Sequence, residues 1–490
     1  MSGILAWWLM VAQTKVAAKS WGIFVDGKWL NEGETSEIRS PYDHSVVGEV
    51  HLGTASHAEA AVRAAQRAFE TTKKSPGYER KRILNAISEG IRARHEEFSQ
   101  VMCLEAGKPI KTARVEVDRA IFTFAVAAEE ATRIGGEWLP LDWQSSTAGR
   151  AGIVRRFPVG PILAITPFNF PLNLVAHKVA PAIAAGCTII LKPAPQTPLS
   201  SLLLAEVVAS AGLTPGAFNA LPLENDVAEK LVSDDRLKML TFTGSAKVGW
   251  ALKQKAGKKK VTLELGGNAG VIVHSDADVA YAADRCVAGG FSYSGQTCIS
   301  VQRIYVQRAV YDNFLSRFVA GVKRLRMGNP ADDSTDIGPL INEGAARRTE
   351  EWISEAAAGG AKIETGGKRE GSMVEPTVLT HTRPDMKVSC EEVFAPVVLV
   401  EPYDNFADAI RHVNDSPNGL QAGVFTRDVK LLFTAFDELE VGGVISGDTS
   451  SFRIDHMPYG GVKDSGLGRE GLRYAIEEMT EPRLLVLNLQ

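Results

Sequence analysis

Between residues 161 and 265 short apolar runs alternate with helical stretches, and that rhythm constrains the fold more than anything else in the chain. Residues 162–165, Ile-Leu-Ala-Ile, read as a buried strand. After Pro167 and Pro171 a helical stretch runs to about Ala185, with Pro181 as a point of kinking and Gly186 as its stop. Residues 188–191 form the next apolar run, and Pro198 opens a helix over 199–211 that Gly212 ends. Further strands are expected at 218–221, 239–242 and 261–265. Strands alternating with helices predict an α/β fold with a parallel, doubly wound sheet. Ligands of such sheets lie at the carboxyl ends of the strands. The segments to inspect are therefore 166–169, 192–195, 243–249 and 264–267, whose polar and glycine-rich residues read as a nucleotide site.

A second α/β unit begins near Gly270, with a strand at 271–273 and a helix from Asp276 to about Val287. Cys286 falls at helical spacing with Val279, Ala282 and Ala283 and reads as core. Ahead of Pro161, residues 55–99 and 108–134 read as long helical regions with charged faces. At 490 residues the chain is too long for one core, so two or three domains are expected. Lysine plus arginine less the acidic residues is 54 − 58 = −4, and no basic block stands out, which excludes a nucleic-acid surface. The five cysteines are scattered without a Cys-x-x-Cys pair, pointing to a reducing, cytoplasmic setting. The nine histidines form no metal-ligand spacing, so no metal is expected. Residues 4–12 are an apolar patch with Trp7 and Trp8, preceded by no basic residue. A membrane span takes about 20 apolar residues. The patch reads as a loose tail or as residues ahead of a true start at Met10, with a weak interfacial anchor as the alternative, and no membrane partner is expected.

Two residues stand out chemically. Cys298 ends the run Gly289-Gly290-Phe291-Ser292-Tyr293-Ser294-Gly295-Gln296-Thr297-Cys298, a loop opening into a strand-like segment at 299–306. A thiol on a loop between rigid elements is placed for nucleophilic attack, although an inert buried cysteine fits the same spacing. Glu264 closes the β-like run Val261-Thr262-Leu263, just ahead of Gly266-Gly267, where a carboxylate is a candidate general base. Residues 483–489 are β-like and apolar, a strand expected to pair with another subunit.

Further motifs join these in order: Thr166-Pro167-Phe168-Asn169-Phe170-Pro171, Leu191-Lys192-Pro193, Phe242-Thr243-Gly244-Ser245 with Gly249, and Leu263-Glu264-Leu265-Gly266-Gly267. Gly295-Gln296-Thr297-Cys298, Glu391-Glu392-Val393-Phe394 and the run from Pro458-Tyr459-Gly460-Gly461 to Gly466 complete the set. From about Gly22 onward the chain resembles the aldehyde dehydrogenase superfamily. That resemblance implies that Cys298 attacks an aldehyde and that Asn169 and the Cys298 N–H stabilise the oxyanion. Hydride leaves to NAD or NADP, and Glu264, with Lys178 near the relay, activates the water that hydrolyses the thioester. It implies cofactor contacts from Thr166, Pro167, Phe168, Lys192, Ala194, Pro195, Gly244, Ser245, Val248, Leu265, Gly266, Glu392 and Phe394. Arg119, Arg453, Phe170 and Thr297 would face the substrate. The two arginines resemble those that grip an anionic group, which makes a short polar or anionic aldehyde the expected partner; structural ion pairs are the alternative.

The resemblance also implies a Rossmann-type cofactor domain (22–140 and 158–264), a catalytic domain (265–465) and a small β element for self-association (141–157 and 478–490), with 1–21 as an extension. A homodimer or homotetramer follows from that element, which includes a hairpin around 152–157. Three positions depart from the pattern. Pro195 stands where NAD-preferring relatives often carry Glu, Ala395 replaces a usual Gly, and Ser446 stands where Asn is common. A coenzyme A-acylating semialdehyde dehydrogenase or a catalytically silent nucleotide-binding member are the rival readings; the former generally lacks the base at Glu264, the latter one of Cys298, Glu264 and Asn169.

Overall fold

The structure is a computed structural model that describes residues 19–489, so the apolar patch at 4–12 lies outside the described residues. Eight strands form the first large sheet, in the order Gly466–Leu467, Lys260–Glu264, Met239–Thr243, Pro161–Ile165, Thr188–Lys192, Phe218–Ala220, Ile23–Val25, Lys28–Leu30. The five from Lys260–Glu264 to Phe218–Ala220 are parallel, and antiparallel strands close both edges. Their interior strands are continuous apolar runs because helices cover both faces. Register sets Thr243 opposite Glu264 and Ile165 opposite Lys192, which brings the ends of these strands to one rim.

The second large sheet has seven strands, ordered Lys362–Thr365, Thr377–Thr380, Val397–Tyr403, Val301–Gln307, Ala269–Val273, Gln421–Phe425, Gly443–Ser446. Only the first is antiparallel to its neighbour. Cys286 is fully buried in the cluster beneath this sheet, as its spacing requires.

Boundaries moved where capping chemistry decided them. The helix expected from Asp276 begins at Val279, because the Asp278 side chain caps it by accepting from the Tyr281 N–H at 3.1 Å. The strand expected at 299 starts at Val301, since Ser300 still donates its N–H back to the Thr297 carbonyl. The 55–99 region divides into Ala55–Thr72, Gly77–Ala93 and the start of His95–Ala106, the first break falling at Pro76. Helix Asn173–Ala185 runs through Pro181 as one element with every residue buried.

A separate antiparallel sheet joins Gly136–Pro140, Arg150–Pro158 and Thr480–Asn488. It reaches back to Gly136, ahead of the boundary at 141 drawn from sequence, because Gly136–Pro140 pairs along its whole length with Ala151–Arg155. Among the described residues no helix is long and apolar enough to cross a membrane.

Candidate active site

A cavity of about 590 Å³ opens between the two large sheets and reaches Cys298, Glu264 and Asn169 together. The Cys298 loop gets its shape from three consecutive left-handed residues, Tyr293, Ser294 and Gly295, with φ of 49°, 55° and 70°. Such conformations cost about 1–2 kcal/mol for a residue with a side chain and need support. Support comes from the Tyr293 hydroxyl donating to the Ala106 carbonyl at 3.1 Å, Ser294 Oγ to Gly338 O at 2.8 Å, and the Ile341 N–H to Gln296 Oε1 at 2.9 Å.

Asn169 follows the strand Pro161–Ile165, and its Nδ2 donates to the Gln296 carbonyl at 3.0 Å, tying it to the cysteine loop. Its own carbonyl accepts from Lys108 Nζ at 2.6 Å. Lys108 is fully buried, paired with Glu116 and set 3.8 Å from the centre of the Phe170 ring. Glu116 in turn accepts the N–H groups of Leu172 and Asn173 at 3.0 Å each, satisfying the start of helix Asn173–Ala185. Sequence reasoning gave Lys108 and Glu116 no role, because the Asn169 carbonyl and the Leu172 and Asn173 N–H groups they meet lie 61, 56 and 57 residues along the chain from them.

Glu264 sits at the end of its strand with both carboxyl oxygens buried and without hydrogen-bond partners. Burial, and then the charge of Glu470, push its acid well above the ordinary range, against the pull of Arg453 and Lys178. Burial likewise pushes the Cys298 thiol up to about 11, while a hydrogen bond from Tyr459 and the charge of Arg453 act the other way. The Tyr459 hydroxyl lies 3.0 Å from the sulfur. Two glycines let these groups meet: a Cβ on Gly266 would strike the Glu392 carboxylate, and one on Gly267 the Cys298 carbonyl oxygen.

Lys178 is fully buried and donates to Thr241 Oγ1 at 3.0 Å and Glu470 Oε1 at 3.2 Å. Arg453 donates to the other Glu470 oxygen at 2.9 Å and stacks 3.6 Å from the centre of the Tyr459 ring. Arg119 pairs with Asp455 at 2.7 Å, and Asp455 also accepts from Asn173 at 3.0 Å and lies 2.8 Å from His177 Nε2. Both arginines thus make the ion pairs that were the alternative reading, yet both also line the cavity. Nε of Arg453 is buried without a partner, so each guanidinium keeps donors beyond those its carboxylate takes. Burial alone would raise Asp455 and Glu470; the His177 hydrogen bond and the Arg119 charge outweigh it at Asp455, holding it well below the carboxylate range, and Lys178 and Arg453 hold Glu470 at about 2.

Pro167, Phe168, Gly244, Ser245, Leu265, Gly266, Glu392 and Phe394 line the same cavity, as do Thr297 and Phe170, whose ring centre lies 5.8 Å from the Arg119 guanidinium. Thr166, Lys192, Ala194 and Pro195 fall outside its lining, along the adjoining strand-end rim. Val248 is also outside it, 46% exposed on helix Ala246–Lys255. A dinucleotide fits these residues. Helix Ala246–Lys255 starts at the cavity wall with Ser245 making no side-chain cap bond, which leaves N–H groups for an anion. Lys192 donates to Asn225 at 3.1 Å, Glu392 accepts from the Gly267 N–H at 2.9 Å, and the Phe168 and Phe394 rings meet edge to face at 6.0 Å. Ala395 needs no glycine: the left-handed residue is Phe394, at φ 53°. Ser446 is exposed and outside the cavity, so that position supplies no polar contact.

The profile of the aldehyde dehydrogenase family matches residues 29–485. The chain belongs to the aldehyde dehydrogenase family. As a member it is an oxidoreductase that oxidises an aldehyde to the acid, with NAD or NADP as cofactor. It is 45% identical over 481 residues to the 3-sulfolactaldehyde dehydrogenase of Priestia megaterium, covering 98% of this chain and all of that one. Among solved structures, aldehyde dehydrogenase 21 from Physcomitrella patens in complex with the reaction product succinate superposes with a TM-score of 0.95 at 45% identity, over 96% of this chain and 99% of that one. A glyceraldehyde-3-phosphate dehydrogenase from Methanocaldococcus jannaschii complexed with NADP gives 0.90 at 38% identity, over 94% and 100%.

Proposed function

We propose that this aldehyde dehydrogenase oxidises a short aldehyde bearing a carboxylate or sulfonate, through a Cys298 thioester. The observation that carries the reading is the charge balance beneath the cavity. Three cations, Arg119, Arg453 and Lys178, meet two carboxylates, Asp455 and Glu470, while burial holds His177 towards its neutral form and Glu264 towards its acid form. The net positive charge and the spare arginine donors suit one anionic group. The 3-sulfolactaldehyde dehydrogenase and the succinate-bound relative agree with it.

In this reading the Cys298 sulfur bonds to the carbonyl carbon, and the oxyanion takes the second Asn169 N–H and the Cys298 backbone N–H. One such donor is typically worth about 3–4 kcal/mol. Lys192, Gly244, Ser245 and Glu392 hold the dinucleotide, which when bound supplies the hydride acceptor. Glu264, with no competing partner for its carboxyl, takes a proton from the water that hydrolyses the thioester. Pro195 offers no carboxylate against a 2′-phosphate, so that position does not reject NADP. The sheet of Gly136–Pro140, Arg150–Pro158 and Thr480–Asn488 serves self-association: Leu484 and Val486 on one face and Leu485 on the other are all about half exposed.

The test compares kcat/KM for 3-sulfolactaldehyde, succinate semialdehyde and lactaldehyde with hexanal and benzaldehyde, in the native enzyme and in Arg119→Gln. Anionic aldehydes should lead, and the variant should erode their lead. A higher kcat/KM for hexanal that Arg119→Gln leaves unchanged removes the anionic reading.

A further inference from the structure

The family motif around Tyr459 accounts for its glycines but gives its hydroxyl no task. Among the described residues that hydroxyl has one hydrogen-bond partner, the Cys298 sulfur at 3.0 Å. The ring is buried and fixed from two sides. Its backbone is joined to Glu470 by a pair of hydrogen bonds, Tyr459 N–H to Glu470 O at 3.1 Å and Glu470 N–H to Tyr459 O at 2.7 Å. The Arg453 guanidinium lies 3.6 Å from the ring centre and is itself held by the Glu470 carboxylate. Ile299, Leu420 and Met457 pack with the sulfur on its apolar side, while the charges of Arg453, Glu392 and Glu264 act on it across the cavity. Among the described residues, Tyr459 is the side chain that hydrogen-bonds this sulfur.

We propose that Tyr459 is a further catalytic residue, whose phenol, fixed by the stacked Arg453, donates a hydrogen bond to the Cys298 sulfur and stabilises the thiolate that attacks the aldehyde. While the sulfur is protonated either group can be the donor, but an ionised sulfur only accepts, so the bond then runs from the phenol and becomes charge-assisted. Burial holds the phenol well above its ordinary value, so it keeps its proton while the thiol loses one to solvent. In the attack a sulfur lone pair forms the S–C bond and the carbonyl π pair moves to oxygen. The Tyr459 proton stays on Tyr459 throughout.

The proposal rests on Cys298 being the nucleophile, and the experiment separates the two ideas. Tyr459→Phe removes the hydroxyl and keeps the ring, its stacking and its volume. The pH dependence of iodoacetamide alkylation is followed at the Cys298 peptide by mass spectrometry, since Cys390 is the other partly exposed thiol. Alongside it, kcat/KM is measured across pH. A hydrogen bond to a charged group predicts that the alkylation midpoint rises by about one pH unit and that kcat/KM falls about tenfold at neutral pH, recovering as pH rises. A midpoint unchanged in the variant overturns the proposal, whether or not kcat/KM falls. A shifted midpoint in a protein that oxidises no aldehyde before or after mutation upholds the thiol contact and overturns the aldehyde reading instead.

Discussion

Cys298 and Glu264 line the same cavity, and burial is the first cause of both shifts: the thiol to about 11, the carboxyl well above its usual range. Each acts only after losing its proton, so the reactive fraction of each grows with pH. We therefore expect kcat/KM to climb between pH 7 and 9, close to tenfold per unit while the thiol is mostly protonated, and a profile flat from pH 6 would contradict it. Glu264→Gln should leave a first turnover that releases NAD(P)H in proportion to sites, then slow the steady state about 10²- to 10⁴-fold, as stopped-flow absorbance would show. Cys298, Glu264 and Asn169 were legible because each stands at a strand or loop end and within a motif. Tyr459, Asp455 and Glu470 were not assigned, because their importance lies in Cys298, His177 and Lys178, which are 161, 278 and 292 residues away.

The turn carrying Asn169 is held by an ion pair from neighbouring elements. Lys108 follows helix His95–Ala106 and Glu116 lies on Ile110–Glu130, and both side chains are completely buried. Removing one partner leaves the other charge unpaired in a dry interior, which costs about 3–5 kcal/mol. Lys108→Met and Glu116→Gln should each lower the Tm measured by calorimetry. The double variant should lose less than the sum, because the second change relieves the charge the first stranded. Additive losses would show that the two residues act separately. At this scale the sequence marked the helices by their periodicity and by Pro76, but the Lys108–Glu116 pair was invisible to it: eight residues apart, the pair forms only because helix Ile110–Glu130 packs against Asn173–Ala185.

Across the whole molecule, the small sheet leaves Leu484 at 49% and Val486 at 50% exposure on one face and Leu485 at 56% on the other, apolar surface that a partner copy would cover. Leu485→Glu should reduce the mass seen by light scattering after size exclusion, with little loss of Tm at matched subunit state; an unchanged mass would place the contact elsewhere. The buried charges set the acid limit. Asp455 and Glu470 are held below their unfolded values, so the stability they bring is complete above about pH 4.5 and is lost as pH falls towards about 2. Thermal midpoints should drop across that interval, and Glu470→Gln should flatten part of the fall.

By itself the sequence determined the alternation of strand and helix, the loop that presents Cys298 and the strand end that presents Glu264, since proline, glycine and apolar runs act over a few neighbouring residues. Only the tertiary structure decided that Arg119 and Arg453 each meet a carboxylate, that Lys178 is buried and that a phenol touches the thiol. Those outcomes depend on burial and on contacts between distant segments. Burial strengthens every charge interaction and raises the penalty of leaving one unpaired, so charge states in this site are properties of the packed molecule.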